Sequence, residues 1–104
     1  MTETTRTWIE GRIVDDDLQL TLVELCRATG VQEQQLVAWV VEGVLEPVGD
    51  RGGWQFSGAA LLRARRAQRL AQDLDLEPSG LALVLDLIDE IETLRARIRR
   101  SGAF

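Results

Sequence analysis

Apolar positions recur at helical spacing in four stretches of this 104-residue chain, and each stretch is closed by glycine, proline or a run of acids. In the first, Leu22, Leu25 and Cys26 share one face. Thr21 and Glu24 have the spacing of a capping box, in which each side chain covers a backbone N–H of the other, so a helix is predicted to open there. Gly30 closes it, since glycine takes left-handed backbone cheaply. In the second, over about 33–42, Leu36, Val37, Trp39 and Val40 turn inward and Gly43 is the stop. The third, over 58–74, has Ser57 as its N-cap, Leu61, Leu62, Leu70 and Leu74 toward the core, and an Arg-rich side toward water. The fourth, over about 78–100, starts on Pro78, which suits a first turn. It carries two apolar stripes. Val84, Leu87, Ile91, Leu94 and Ile98 alternate by three and four, while Leu81, Leu85 and Ile88 form the other. One stripe can pack on the domain, which leaves the other for a second helix.

The punctuation between these helices is equally informative. Cys26, Gly30 and Leu36 have the spacing of a helix-turn-helix, which needs a small side chain at the crossing and a flexible residue in the turn. After Leu45 and Pro47, the run "GDRGG" reads as a turn, and Trp54, Gln55 and Phe56 alternate like a short strand, which together predict a β-wing. Ahead of the first helix, "RTWIEGRIV" reads either as a small hairpin about Glu10-Gly11 or as a flexible arm. The terminal "RSGAF" is expected to fray. The division expected is 1–20 as N-terminal arm or short strands, 21–76 as winged helix-turn-helix, and 77–104 as a dimerisation and packing helix. The fold class is mainly α.

Composition narrows the function. A hydrophobic share of 45% and a charged share of 28% are ordinary for a globular domain. With no His and one Cys, a His/Cys zinc site, a His-based triad and an internal disulfide are all excluded within one chain. No cofactor and no enzymatic activity are expected. No apolar run is long enough to span a bilayer, and the start does not read as a secretory signal, so the expected location is the cytoplasm, away from membranes.

Charge narrows it further. The net charge is −5, and all twelve cations are Arg. Residues 1–50 hold ten acids against three Arg, a net −7, whereas residues 51–104 hold nine Arg against seven acids, a net +2. From Ala28 to Asp50, across the helix that reads DNA in a helix-turn-helix protein, there is no Arg or Lys. Cations supply the phosphate contacts, and Arg is the usual reader of guanine. Gln32, Gln34 and Gln35 have the groups to read adenine but no cation nearby to hold them in a groove. Arg63, Arg65, Arg66 and Arg69 form one basic patch, expected to be a solvated face and too short a footprint for nucleic acid.

"TLVELCRATGV", "GVLEP", "GGWQFS" and "LALVLDLIDEIETLRARI", in that order, resemble a MerR-type domain. The last segment, with a cation-free reader helix, is most similar to the CbpM chaperone-modulator family. The resemblance implies binding to the J-domain of a CbpA/DnaJ-like co-chaperone, restraint of its work with DnaK and of its DNA binding, and no direct nucleic-acid binding. DNA-binding relatives of the MerR type carry Arg and Tyr along the reader helix and Arg in the wing, where this chain has "QLVAW" and Gln55. The alternative reading is a MerR-type transcriptional regulator. A small-molecule sensor with its ligand between the third and fourth helices is a further one.

For an acid-mediated contact with a basic J-domain, the candidate residues are Asp15, Asp16, Asp17, Glu33, Glu42, Glu46, Asp86, Asp89 and Glu90. Glu92 is expected to pair along its own helix with Arg95 or Arg99. Val84, Leu87, Ile91, Leu94 and Ile98 are the candidate homodimer seam, flanked by Arg95 and Arg99. Trp39 is expected in the core, Trp54 and Phe56 between wing and core, and Cys26 buried at the helix crossing. Trp8 either folds back or serves as an exposed anchor.

Overall fold

A computed structural model describes the backbone of residues 6–9 and 12–15 and the whole of residues 18–102. The expectations for the side chains of Trp8 and Asp15, for Asp16 and Asp17, and for the last two residues fall outside the described residues. The elements are β1 (Arg6–Ile9), β2 (Arg12–Asp15), β3 (Gln19–Leu20), α1 (Leu22–Thr29), α2 (Glu33–Val41), β4 (Phe56–Ser57), α3 (Gly58–Leu74) and α4 (Pro78–Ser101), with a single 3-10 turn at Arg51–Gly53. The architecture is mainly α: a helix-turn-helix, a small wing, a third helix and a long C-terminal helix.

Of the two readings of the N-terminal segment, paired strands are what forms. β1 and β2 run antiparallel with Ile9 opposite Arg12 and Arg6 opposite Asp15. The capping box is present in full. Thr21 Oγ1 accepts the Glu24 N–H at 3.2 Å, and Glu24 Oε1 accepts the Thr21 N–H at 2.9 Å. Gly30 turns the chain at φ 76°, in the left-handed region, and its N–H donates to the Cys26 carbonyl at 2.8 Å. Thr29 reinforces that turn by donating to the Leu25 carbonyl and accepting the N–H of Val31. α2 then buries Leu36 and Trp39.

The wing is smaller than the alternation predicts. Val48 and Gln55 exchange both backbone hydrogen bonds, at 2.9 and 3.0 Å, around the Arg51–Gly53 turn. The strand beyond it pairs elsewhere: Phe56 lies opposite Leu20 and Ser57 opposite Gln19. Two residues just ahead of α1 thus clamp the two just ahead of α3. Phe56 is fully buried at this junction, with Trp54 edge-on to it at 6.2 Å.

α3 corrects an expectation. Its buried stripe is Ala60, Ala64 and Ala67 together with Leu62, while Leu61 and Leu70 are only half-buried and Leu74 is exposed. Small side chains at spacings of four and three let the helix sit close to its neighbours. A count of large apolar residues misses such a seam. The helix begins where Ser57 Oγ accepts the Ala60 N–H, and it ends at Asp75, which takes left-handed backbone at φ 52°. Leu25, Leu36, Trp39, Val44, Leu45, Phe56, Leu81 and Leu85 complete the core, so α4 is anchored by the inner of its two stripes.

Candidate functional site

The loop after α2, the residue ahead of α3, α3 itself and α4 bring one acidic cleft together. After α2, Gly43 reverses the chain at φ 81° and Val44 donates its N–H to the Trp39 carbonyl. Val44 and Leu45 drop into the core, which leaves Glu46 exposed at the surface. Arg63, in the second turn of α3, reaches the same loop. Its Nε donates to the Val44 carbonyl at 2.6 Å, Nη1 to Asp89 Oδ2 at 2.8 Å, and Nη2 to Asp86 Oδ1 at 3.0 Å. One guanidinium therefore joins the loop, α3 and α4. The cleft around it measures about 370 Å³, with Glu46, Ser57, Arg63, Asp86 and Asp89 on its walls.

Three carboxylates surround one cation in this cleft, so it is negative overall. The Asp86 and Asp89 side chains are 70% and 56% exposed even while they hold Arg63, and their outer lone pairs face solvent. Hydrogen bonds between a guanidinium and a carboxylate are charge-assisted, and here one guanidinium makes one such bond to each of two carboxylates. What it can do chemically is bind cations. Among the described residues, no cluster of His, Cys, Asp and Glu is arranged to hold a metal ion.

Of the sequence-predicted acids, three share the cleft. Glu46, Asp86 and Asp89 line the cleft, and Glu90 is exposed on α4. Glu33 and Glu42 sit at opposite ends of α2, about 13 Å apart along a helix of this length. Arg63 and Ser57 were not legible as site residues, because the partners of Arg63 lie on a helix and a loop remote in sequence. The Arg-rich side of α3 also differs from expectation. Rather than simply facing water, Arg66 pairs with Glu92 at 3.2 Å and Arg65 donates to the Ala28 carbonyl at 3.5 Å. Glu92 is thus engaged across to α3, where local spacing pointed to Arg95 or Arg99.

α2 presents Glu33, Gln34, Gln35 and Val41 to solvent and no cation. Cys26 is half-buried beside it, and burial, aided by the charge of Glu33, pushes its thiol pKa up, so it stays protonated at neutral pH. On α4 the outer stripe stands open: Leu87, Ile91 and Leu94 are 53%, 48% and 44% exposed, with Val84 and Ile98 half-buried. No helix among the described residues is long and apolar enough to cross a membrane.

These features define a helix-turn-helix regulator, and residues 20–101 match the family described as MerR HTH family regulatory protein. Its relatives say which kind. Chaperone modulatory protein CbpM of Coxiella burnetii is 32% identical over 101 residues, covering 96% of this chain and 95% of the relative. CbpM of Pseudomonas putida is 39% identical over 80 residues, covering 76% and 79%, and that of Salmonella arizonae is 40% identical over 81 residues, covering 77% and 80%. The chain belongs to the CbpM family of chaperone modulatory proteins, a MerR-related lineage, and is a regulator rather than an enzyme.

Proposed function

We propose that this protein binds the J-domain of a CbpA/DnaJ-like co-chaperone and, by covering it, withholds it from DnaK and restrains the co-chaperone's DNA binding. The observation that carries this is a pair of charge facts. The reader helix is cation-free, and in the cleft lined by Glu46 the carboxylates of Asp86 and Asp89 hold a guanidinium. A basic partner surface is steered toward such a cleft, and like-charged competitors are rejected. The action is occlusion in the cytoplasm and needs no cofactor. The acids named from sequence, Asp15, Asp16, Asp17, Glu33, Glu42 and Glu90 included, are the proposed rim of the contact.

A homodimer through the outer stripe of α4 belongs to the same reading. Asp86, Asp89, Glu90 and Glu92 occupy the middle of the helix, and Arg95, Arg97, Arg99 and Arg100 its last part. Two copies laid antiparallel place opposite charges beside the shared seam of Val84, Leu87, Ile91, Leu94 and Ile98.

The test is titration of the intact protein with a purified J-domain at low and high salt, with duplex promoter DNA as the second arm. The expected result is J-domain binding that weakens as salt rises, and a loss of about tenfold or more for Glu46→Arg, since an interfacial charge reversal costs upward of a kcal/mol. The match to a family of helix-turn-helix regulators favours the alternative, a transcriptional regulator. Tight duplex binding with no response to the J-domain would overturn the proposal in its favour.

A further inference from the structure

A second cleft, of about 250 Å³, opens between the start of α2 and the C-terminal half of α3 and shares no lining residue with the acidic one. Gln32 and Gln35 face Gln68 and Gln72 across it, over apolar surface from Val31, Ala71 and Trp39. No charged side chain lines it. Trp39 is 1% exposed, and its Nε1 is buried with no hydrogen-bond partner among the described residues.

That N–H calls for an explanation. An indole nitrogen only donates, and a buried donor left unmade costs about 1–3 kcal/mol. The residues around it supply the rest of a recognition set. Gln32 with Gln35, and Gln68 with Gln72, stand one turn apart and so project from the same helix faces. Each primary amide offers a donor and an acceptor side by side. Apolar wall beneath them suits the face of a flat ring. Without a lining cation or anion there is nothing to hold a phosphate, a carboxylate or an ammonium. The volume lies below the usual range of about 300–1,000 Å³ for drug-sized ligands, which favours a small ring system. A primary amide pairs in bidentate fashion with the amino and N7 edge of adenine.

We propose that this cleft binds an uncharged adenine-type purine, as base or nucleoside. The glutamine amides take its donor–acceptor edge, and Trp39 donates its indole N–H to a ring nitrogen once the flexible glutamine side chains make way. The site is independent of the acidic cleft and of the J-domain reading, so either stands if the other fails.

The experiment is a titration of the full, isotope-labelled chain with adenine, followed by nuclear magnetic resonance on the three indole N–H signals and the glutamine side-chain amides. Trp8→Phe and Trp54→Phe variants assign the Trp39 signal. The expected result is a saturable shift of the Trp39 indole and of the lining amides, with Trp8 and Trp54 unmoved and no weakening as salt rises. 7-Deazaadenine, which lacks the N7 acceptor, binds about tenfold more weakly. So does adenine to the Gln35→Ala, Gln68→Ala double variant, whose melting temperature verifies that it is folded. The proposal is overturned by an absence of saturable shift at millimolar adenine, by equal shifts at all three indoles, or by affinity that neither the missing N7 nor the missing amides reduce.

Discussion

The two halves of α4 both carry apolar side chains but differ in how the domain covers them. From Pro78 to Ile88 the helix buries Leu81 and Leu85 completely against the domain. From Asp89 onward, Ile91 and Leu94 remain about half exposed. Helix propensity does not separate them, although the first half holds one charged residue and the second seven. Length does. A 24-residue helix is about 36 Å long and the 17-residue α3 about 26 Å, so α4 exceeds the helix it packs beside. An apolar stripe reports that a helix face needs cover; the surrounding fold decides whether the chain itself supplies it.

The largest effect that tests this contrast comes from truncating one residue in each half. Leu85→Ala removes a fully buried side chain and should lower unfolding free energy by about 2–5 kcal/mol in a denaturant titration. Ile91→Ala should leave the monomer within about 0.5 kcal/mol and weaken self-association instead, as read by sedimentation across a concentration series. Equal losses of folding stability would show that the second half is packed within its own chain.

An intermediate effect belongs to Arg63, which holds α4 from the side where the two halves meet, at Asp86 and Asp89. Arg63→Ala breaks three hydrogen bonds in one step. Because both carboxylate partners are well exposed, solvent screens the ion pairs, and the expected cost is about 1–2 kcal/mol. A double-mutant cycle with Asp89→Asn isolates the pair, with an expected coupling of about 0.5–1 kcal/mol. A coupling near zero would mean that the Val44 carbonyl alone accounts for the clamp.

The smallest effect lies at the other end of the molecule, where cover is local. The bond that Glu24 accepts from the Thr21 backbone N–H, and then its bond with the Thr21 hydroxyl and the nearby Arg27, hold its carboxyl below the ordinary range for glutamate. A lowered folded-state pKa stabilises the protein above the unfolded-state value, and that contribution disappears as pH falls through the lowered one. The melting temperature of wild type relative to Glu24→Gln should therefore be level from neutral pH down to about pH 5 and converge below about pH 4. A gap that widens on acidification would reverse the assigned sign.

Most of the fold was legible because its signals are local. Thr21 with Glu24, Gly30 and Ser57 each mark a helix end through hydrogen bonding within a few residues, and Pro78 marks one by its fixed φ and missing N–H. What the sequence hid lies at long range. Gln19 and Leu20 are too few to read as a strand, and their pairing with Phe56 and Ser57 depends on where α1 and α3 start. The alanine seam of α3 hid for a different reason, since alanine is a weak hydrophobic signal and a strong packing one. For the candidate site, Glu46, Asp86 and Asp89 were visible as acids, but nothing in their spacing foretold a shared cleft. Arg63 was visible only as a member of a basic patch. Its role depends on the turn at Gly43 delivering the Val44 carbonyl to it.

That internal guanidinium sets a threshold for whatever cation arrives from outside. Asp86 and Asp89 are not waiting empty, so a visitor gains only the margin by which it outbids or supplements a resident already oriented by a third bond. A solitary lysine tip, strongly hydrated and without a planar fork, has little margin to gain. A rigid array of positive groups that reaches Glu46 as well as the two aspartates has more. Arg63 thereby turns a generic electrostatic attraction into a demand for the right pattern of charge.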